Sequence, residues 1–235
     1  MSLDATIASN LAIVRASIER AARASGRDPA DIRLIAVSKT FSVEHVLSAI
    51  RAGQQDFGEN RVQEALQKTA RTADTPISWH LVGHLQSNKA AKAASSFAWI
   101  HSVDDADLLK KLEASALQAN RAIELLVQVD LGREAANHGI GLEDVPALFD
   151  IGRQHRAARI AGLMVLPPFA DDPEDARPFF RQLRELRDQL RAGGVDGQML
   201  RELSMGMSHD YPVAIEEGAT MVRIGTAIFG ERTRR

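Results

Sequence analysis

The 235-residue chain contains no cysteine, so a disulfide frame and thiolate chemistry are both excluded. No apolar run approaches the length of a membrane span, and the first residues lack the apolar core of a signal peptide. A cytoplasmic protein without a membrane partner is therefore expected. No stretch rich in Pro, Ser or Gly divides the chain and no low-complexity segment appears, so residues 1–235 read as a single domain. The Gly-x-Gly-x-x-Gly turn of a dinucleotide fold is missing after the first apolar run. Charge of either sign is not in excess: 29 basic residues face 31 acidic ones, a net charge of −2. Bulk charge thus provides no means of holding nucleic acid.

What is present is an alternation. Short apolar runs suited to buried strands occupy residues 32–38, 55–58, 78–83, 98–103, 123–129, 159–166, 200–206 and 221–229. Between them, helical spacing covers 43–52, 61–72, 88–95, 105–120, 142–155, 173–192 and 209–217. Ser42 and Gly53 bracket the first of these as N-cap and terminator. A further helix precedes the first strand, because Ile7, Leu11, Val14 and Ile18 fall on one face. Eight strands, each but the last followed by a helix, predict an α/β fold, a single (β/α)8 TIM-type barrel with an extra N-terminal helix; an open doubly wound sheet is the alternative. In either, the chemistry belongs at the C-terminal ends of the strands.

Those ends are polar while the strand bodies are apolar. The first ends in Ser38-Lys39-Thr40, the second in Gly58-Glu59-Asn60-Arg61, the fourth in His101-Ser102-Val103-Asp104. Lys39 has two readings. In one it snorkels from a strand end or pairs with an acid such as Glu59; in the other its amine sits in a low-dielectric mouth and condenses with a carbonyl. The last strand favours the second. Gly225-Thr226 follows Met221-Val222-Arg223-Ile224, and backbone N–H groups beside a glycine can approach a phosphate closely. Ser208 precedes the helical stretch 209–217, as an ordinary N-cap or as part of an anion site. In a closed barrel the first and last strands are neighbours. A lysine beside a phosphate cradle points to a phosphorylated aldehyde, and pyridoxal 5′-phosphate (PLP) is the obvious one.

At this point the chain resembles a known family. The segments Ala36-Val37-Ser38-Lys39-Thr40, Phe57-Gly58-Glu59-Asn60, Trp79-His80-Leu81-Val82-Gly83-His84-Leu85-Gln86-Ser87-Asn88-Lys89, His101-Ser102-Val103-Asp104, Leu203-Ser204-Met205-Gly206-Met207-Ser208 and Met221–Gly230 are similar to those of the pyridoxal phosphate homeostasis (YggS/PROSC-type) family. They run in order over nearly the whole chain. The resemblance implies a barrel like the N-terminal domain of alanine racemase (fold type III), with PLP as cofactor held on Lys39 as an internal aldimine. It implies Arg223 facing the pyridine nitrogen, Ser208, Gly225 and Thr226 on the phosphate, Ser204 beside them, and Asn60 close to the cofactor. Three positions depart from the family pattern: Arg61 where a tyrosine is usual, Asp130 where an asparagine is frequent, and Asn137 where many members carry a lysine.

Other motifs argue for less. His80 and His84 straddle a strand end instead of sharing a helical turn, and His-Glu-x-x-His is absent, which argues against a metal pair. His101 reads as a satisfied strand-end histidine, and 181–191 as the solvated face of a helix. Three functions stay open: a PLP carrier, an active PLP enzyme such as an amino-acid racemase, and a lysine-dependent aldolase without cofactor. Racemases of the alanine type use a tyrosine from a second domain. The only tyrosine here is Tyr211, and the sequence reads as ending after the eighth strand. The expectation is a non-catalytic protein of PLP homeostasis that binds, buffers and delivers the cofactor. Apo PLP enzymes are its candidate partners, and a monomer or weak homodimer its expected state.

Overall fold

The computed structural model describes residues 2–132 and 138–231. Eight parallel strands, β1 (Arg33–Val37), β2 (Asp56–Glu59), β3 (Ser78–Leu81), β4 (Trp99–Val103), β5 (Ile123–Gln128), β6 (Ala158–Met164), β7 (Glu202–Ser204) and β8 (Met221–Ile224), pair in sequence order. The barrel closes where β1 meets β8, with Ile35 opposite Arg223 and Ala36 opposite Ile224. This is the (β/α)8 architecture expected from the alternation.

Period two decides which residues face inward. On β8, Met221 lies in the interior while Val222 and Ile224 pack outward among the helices. On β1, Ile35 and Val37 point in, and Leu34 and Ala36 point out. The interior plug of Ile35, Val37, Val82, Trp99, Leu126, Ala161, Met164 and Met221 is small. The larger apolar layer lies between the strands and the surrounding helices.

Those helices are α1 (Leu3–Ala24), α2 (Val43–Arg51), α3 (Val62–Arg71), α4 (Ala90–Ser96), α5 (Ala106–Gln118), α6 (Val145–Gly152), α7 (Arg177–Ala192), α8 (Tyr211–Glu216) and α9 (Thr226–Phe229). The Ser2 hydroxyl caps α1 by accepting from the Ala5 N–H at 3.3 Å. Its buried stripe of Ile7, Leu11, Val14 and Ile18 seals α1 against α2, α8 and α9. On α7, the residues Phe180, Leu183, Leu186 and Leu190 are buried, and the charged positions between them form the outer face.

Two boundaries differ from the sequence reading in a way that shapes the site. The eighth strand ends at Ile224, and the apolar stretch after it is the helix α9. The Ile228 and Phe229 N–H groups both donate to the Gly225 carbonyl at 2.9 Å, the i+3 and i+4 bonds of a helical turn, and both side chains are buried. A short apolar run does not distinguish strand from helix by pattern alone. The helix expected from residue 209 begins at Tyr211 with Asp210 as its cap residue, which leaves the Ser208 hydroxyl for another partner.

Candidate functional site at the C-terminal ends of the strands

Lys39 sits on a built turn. The Phe41 N–H donates to the Ser38 carbonyl at 3.1 Å, closing four residues around Lys39 and Thr40. Thr40 has φ 69°, a left-handed conformation that is unfavourable for a β-branched residue. Ser38 anchors the turn from below. Its hydroxyl donates to Glu59 Oε1 at 2.6 Å, and its carbonyl accepts from Lys68 Nζ at 2.7 Å. Lys68 Nζ also lies 2.5 Å from Glu59 Oε1. The acid of the first reading of Lys39 is therefore paired with Lys68. Burial pushes the Glu59 carboxyl above its ordinary pKa, and the Lys68 and Ser38 hydrogen bonds pull it back in part. Lys68 was not singled out in the sequence. Its signal was position: it continues the buried stripe of Val62 and Ala65 on α3, and a lysine there needs a partner.

The candidate anion cradle is formed by the segments that follow β7 and β8. The Gly225 and Ala227 N–H groups converge on Ser208 Oγ, at 3.2 and 3.4 Å. With that oxygen accepting both, the hydroxyl hydrogen is left to donate outward, and exposed Thr226 stands between the two N–H groups. A Cβ on Gly225 would come within 3.1 Å of the Val37 carbonyl oxygen, so glycine lets the cradle press against the end of β1. Hydroxyl and N–H donors at the start of a helical turn suit the phosphate of PLP. Upstream, Gly206 has φ +91°, and a Cβ there would stand 2.6 Å from that of Ala214, which holds the 206–208 segment onto α8.

Arg223 occupies the floor. It is 4% exposed; Nη1 donates to Ser204 Oγ at 2.6 Å and Nη2 to the Val165 carbonyl at 2.9 Å. Burial lowers its pKa to about 10, opposed by the charge of Asp210, so it remains a cation at neutral pH. The Ser204 hydroxyl also meets His101 Nδ1 at 2.9 Å. The structure thus places Ser204 with Arg223 and His101, and its hydroxyl hydrogen bonds do not run to the Ser208–Gly225 pair. His101 is buried and satisfied, as expected: its Nε2 lies 3.0 Å from His80 Nδ1.

Asn60 follows β2 at the rim, half-buried. Its backbone is so close to Gly83 that a Cβ on that glycine would lie 2.4 Å from the Asn60 carbonyl oxygen. Of the departures from the family pattern, Arg61 is on the surface with its side chain 79% exposed, 3.8 Å from Glu64. Asp130 Oδ1 accepts from the Gly132 N–H at 3.1 Å, and Asn137 lies outside the described residues. Further along the rim, His84, Asp104 and His138 gather. The two imidazoles stack with centroids 3.7 Å apart at 9°, so their in-plane lone pairs run parallel instead of converging on one ion.

Known proteins resembling the chain point to one family. The family model described as alanine racemase, N-terminal domain, matches residues 9–233. The Pseudomonas aeruginosa pyridoxal phosphate homeostasis protein is 44% identical over 227 residues, 97% of this chain and 96% of that one. The Aquifex aeolicus protein of the same name is 40% identical over 215 residues, 92% of this chain and 93% of its own. Among solved structures, PipY of Synechococcus elongatus with PLP bound is 40% identical and superposes with a TM-score of 0.84, covering 95% of this chain and 100% of PipY. Alanine racemase from Clostridium difficile shares the fold at 14% identity, with a TM-score of 0.74 over 97% of this chain and 57% of the racemase. The chain belongs to the pyridoxal phosphate homeostasis protein family, built on the alanine racemase N-terminal domain.

Proposed function

We propose that this chain binds PLP at the barrel mouth and serves intracellular PLP homeostasis, storing the cofactor and delivering it to apo PLP enzymes. The observation that supports the reading is the closing seam of the barrel: β1 pairs with β8, Lys39 follows β1, Arg223 lies on β8, and the Gly225 and Ala227 N–H groups just after β8 meet the hydroxyl of Ser208, which follows β7. Lys39 supplies the amine for covalent attachment of the aldehyde. Ser208, Gly225 and Thr226 hold the phosphate, Arg223 lies toward the ring, and Asn60 lines the rim. The names of the relatives and the PLP-bound PipY support PLP as the ligand and homeostasis as the role.

When bound, PLP is an electron sink whose strength rises with protonation of its ring nitrogen. A guanidinium with a pKa of about 10 remains a donor at neutral pH and has no proton to spare for that nitrogen. That choice weakens carbanion chemistry while leaving binding intact, which suits a carrier more than a racemase. Tyr211, the sole tyrosine of the sequence, is buried at the start of α8, and no second base is assigned to it. The protein acts as a monomer or weak homodimer in the cytoplasm.

The test pairs transfer with turnover. Loaded protein mixed with an apo PLP enzyme restores activity to that enzyme. With free amino acids in deuterated water, α-hydrogen exchange stays at the level of free PLP. Rapid exchange that vanishes in Lys39→Ala contradicts the carrier reading in favour of an enzyme, because each positioned acid or base contributes roughly 10²–10⁴-fold in rate.

A further inference from the structure

Behind Arg223 a line of polar side chains crosses the apolar barrel interior. Ser204 lies beside Arg223 at 2.6 Å, His101 beside Ser204 at 2.9 Å, His80 beside His101 at 3.0 Å, and Asp56 Oδ1 beside His80 Nε2 at 2.9 Å. Five strands contribute one residue each: β8, β7, β4, β3 and β2. Ser204, His101 and His80 are fully buried. Asp56, the first residue of β2, has a side chain 22% exposed at the N-terminal end of the barrel, away from the mouth.

The chemistry of the end members orders every proton. A guanidinium only donates, so Ser204 Oγ accepts from Arg223. A carboxylate only accepts, so His80 carries its hydrogen on Nε2 and its Nδ1 is bare. His101 must then donate from Nε2, which leaves its Nδ1 to accept from the Ser204 hydroxyl. Each inner group gives one hydrogen bond and takes one, with both rings neutral. The surroundings favour that state: burial depresses both histidines, His101 well below its ordinary value, with Arg33 and Arg223 adding to the effect. Asp56 and Glu202 oppose it at His80. Trp99 stacks on His80 with centroids 5.7 Å apart at 5° and fixes its plane. Arg33 reaches Asp56 only at 4.0 Å.

We propose that Asp56 is a positioning residue for Arg223, acting through a one-directional relay of hydrogen bonds, Arg223 to Ser204 to His101 to His80 to Asp56. The relay ties down one arm of the guanidinium, and the Val165 carbonyl ties down the other. The rotation of the group, and hence the donors it presents at the mouth, is set from the far end of the barrel. The role toward a ring rests on the PLP reading; the relay itself does not.

Two measurements separate these. In apo protein at pH 7, long-range ¹H–¹⁵N NMR should show His80 and His101 both neutral with hydrogen on Nε2. In Asp56→Leu the His101 signal should become a mixture of tautomers, although residue 56 does not touch it. Hydrogen on Nδ1 of His101 in the wild type overturns the relay. The second measurement titrates Asp56→Leu, which removes the acceptor at the end of the relay. It should bind PLP and phosphate-free pyridoxal more weakly by the same factor, roughly three- to ten-fold, and shift the visible absorption band. Wild-type affinity and band position in Asp56→Leu overturn the positioning role, and Asp56→Asn, which keeps the acceptor, should restore most of the binding. If wild-type protein binds no PLP, the functional reading and the role toward the ring both fall, while the tautomer result still decides the relay.

Discussion

Thr40 shows what a single residue is made to tolerate at this site. A β-branched residue held at φ 69° costs on the order of 1–3 kcal/mol, and such strain persists only where the surroundings enforce it. Here the Ser38–Glu59–Lys68 cluster fixes one side of the turn. Thr40→Gly should therefore stabilise the fold or leave it neutral while loosening Lys39. The check is a urea midpoint that is raised or unchanged, together with weaker PLP binding. Gly225 is the opposite case, a residue chosen for what it lacks. Gly225→Val forces a contact with the Val37 carbonyl and pushes the cradle off β1. PLP affinity should fall while pyridoxal affinity holds. Ser208→Ala should reproduce the selectivity at roughly ten-fold or more, since a hydrogen bond to a charged group contributes about 1.5–3 kcal/mol. Equal losses for both ligands would remove the phosphate from this turn.

Among the elements, the long amphipathic ones were legible and the short ones were not. α1 could be read from four apolar residues at helical spacing, and all four are buried. Leu11, fully buried between α1 and the barrel helices, should cost about 2–5 kcal/mol as Leu11→Ala in denaturant melts, with PLP affinity unchanged in the folded protein. The stretch after Ile224 defeated the pattern because its three apolar residues, Ala227, Ile228 and Phe229, fit either period. The turn at Gly225 decides it, and that turn also carries the cradle. The site was legible where a residue's type was out of place for its position: Lys39 after an apolar run, Gly225 after β8. It was not legible where partners meet only through the barrel. Nothing in the spacing of Asp56, His80, His101, Ser204 and Arg223 shows that they form one line. Nor does it show Ser204 turned toward Arg223. Five strand registers have to be known first. The one local hint was a polar residue at an inward position on each of those strands.

At the scale of the molecule, the polar line through the interior couples stability to pH. His80 and His101 are held neutral in the fold, below their ordinary value of 6.5. The unfolded chain therefore binds more protons than the folded one as pH drops through that value. Their contribution is intact above about pH 6.5 and is lost progressively on acidification, by up to about 1.4 kcal/mol per pH unit for each ring. Glu59, whose carboxyl is raised, runs the other way: its contribution is present below its ordinary 4.5 and is lost as pH rises through the folded value. Denaturation midpoints should fall between pH 7.5 and 5.5. A flat profile would mean that the rings are not buried and neutral. The central claim, that β1 and β8 together hold PLP with Lys39 as the attachment point, is tested most directly by borohydride reduction of the loaded protein followed by peptide mapping. Wild-type protein should show a visible absorption band and a single labelled peptide carrying the modification on Lys39, both absent in Lys39→Ala. A label on another lysine, or one that survives in Lys39→Ala at the barrel mouth, would contradict it.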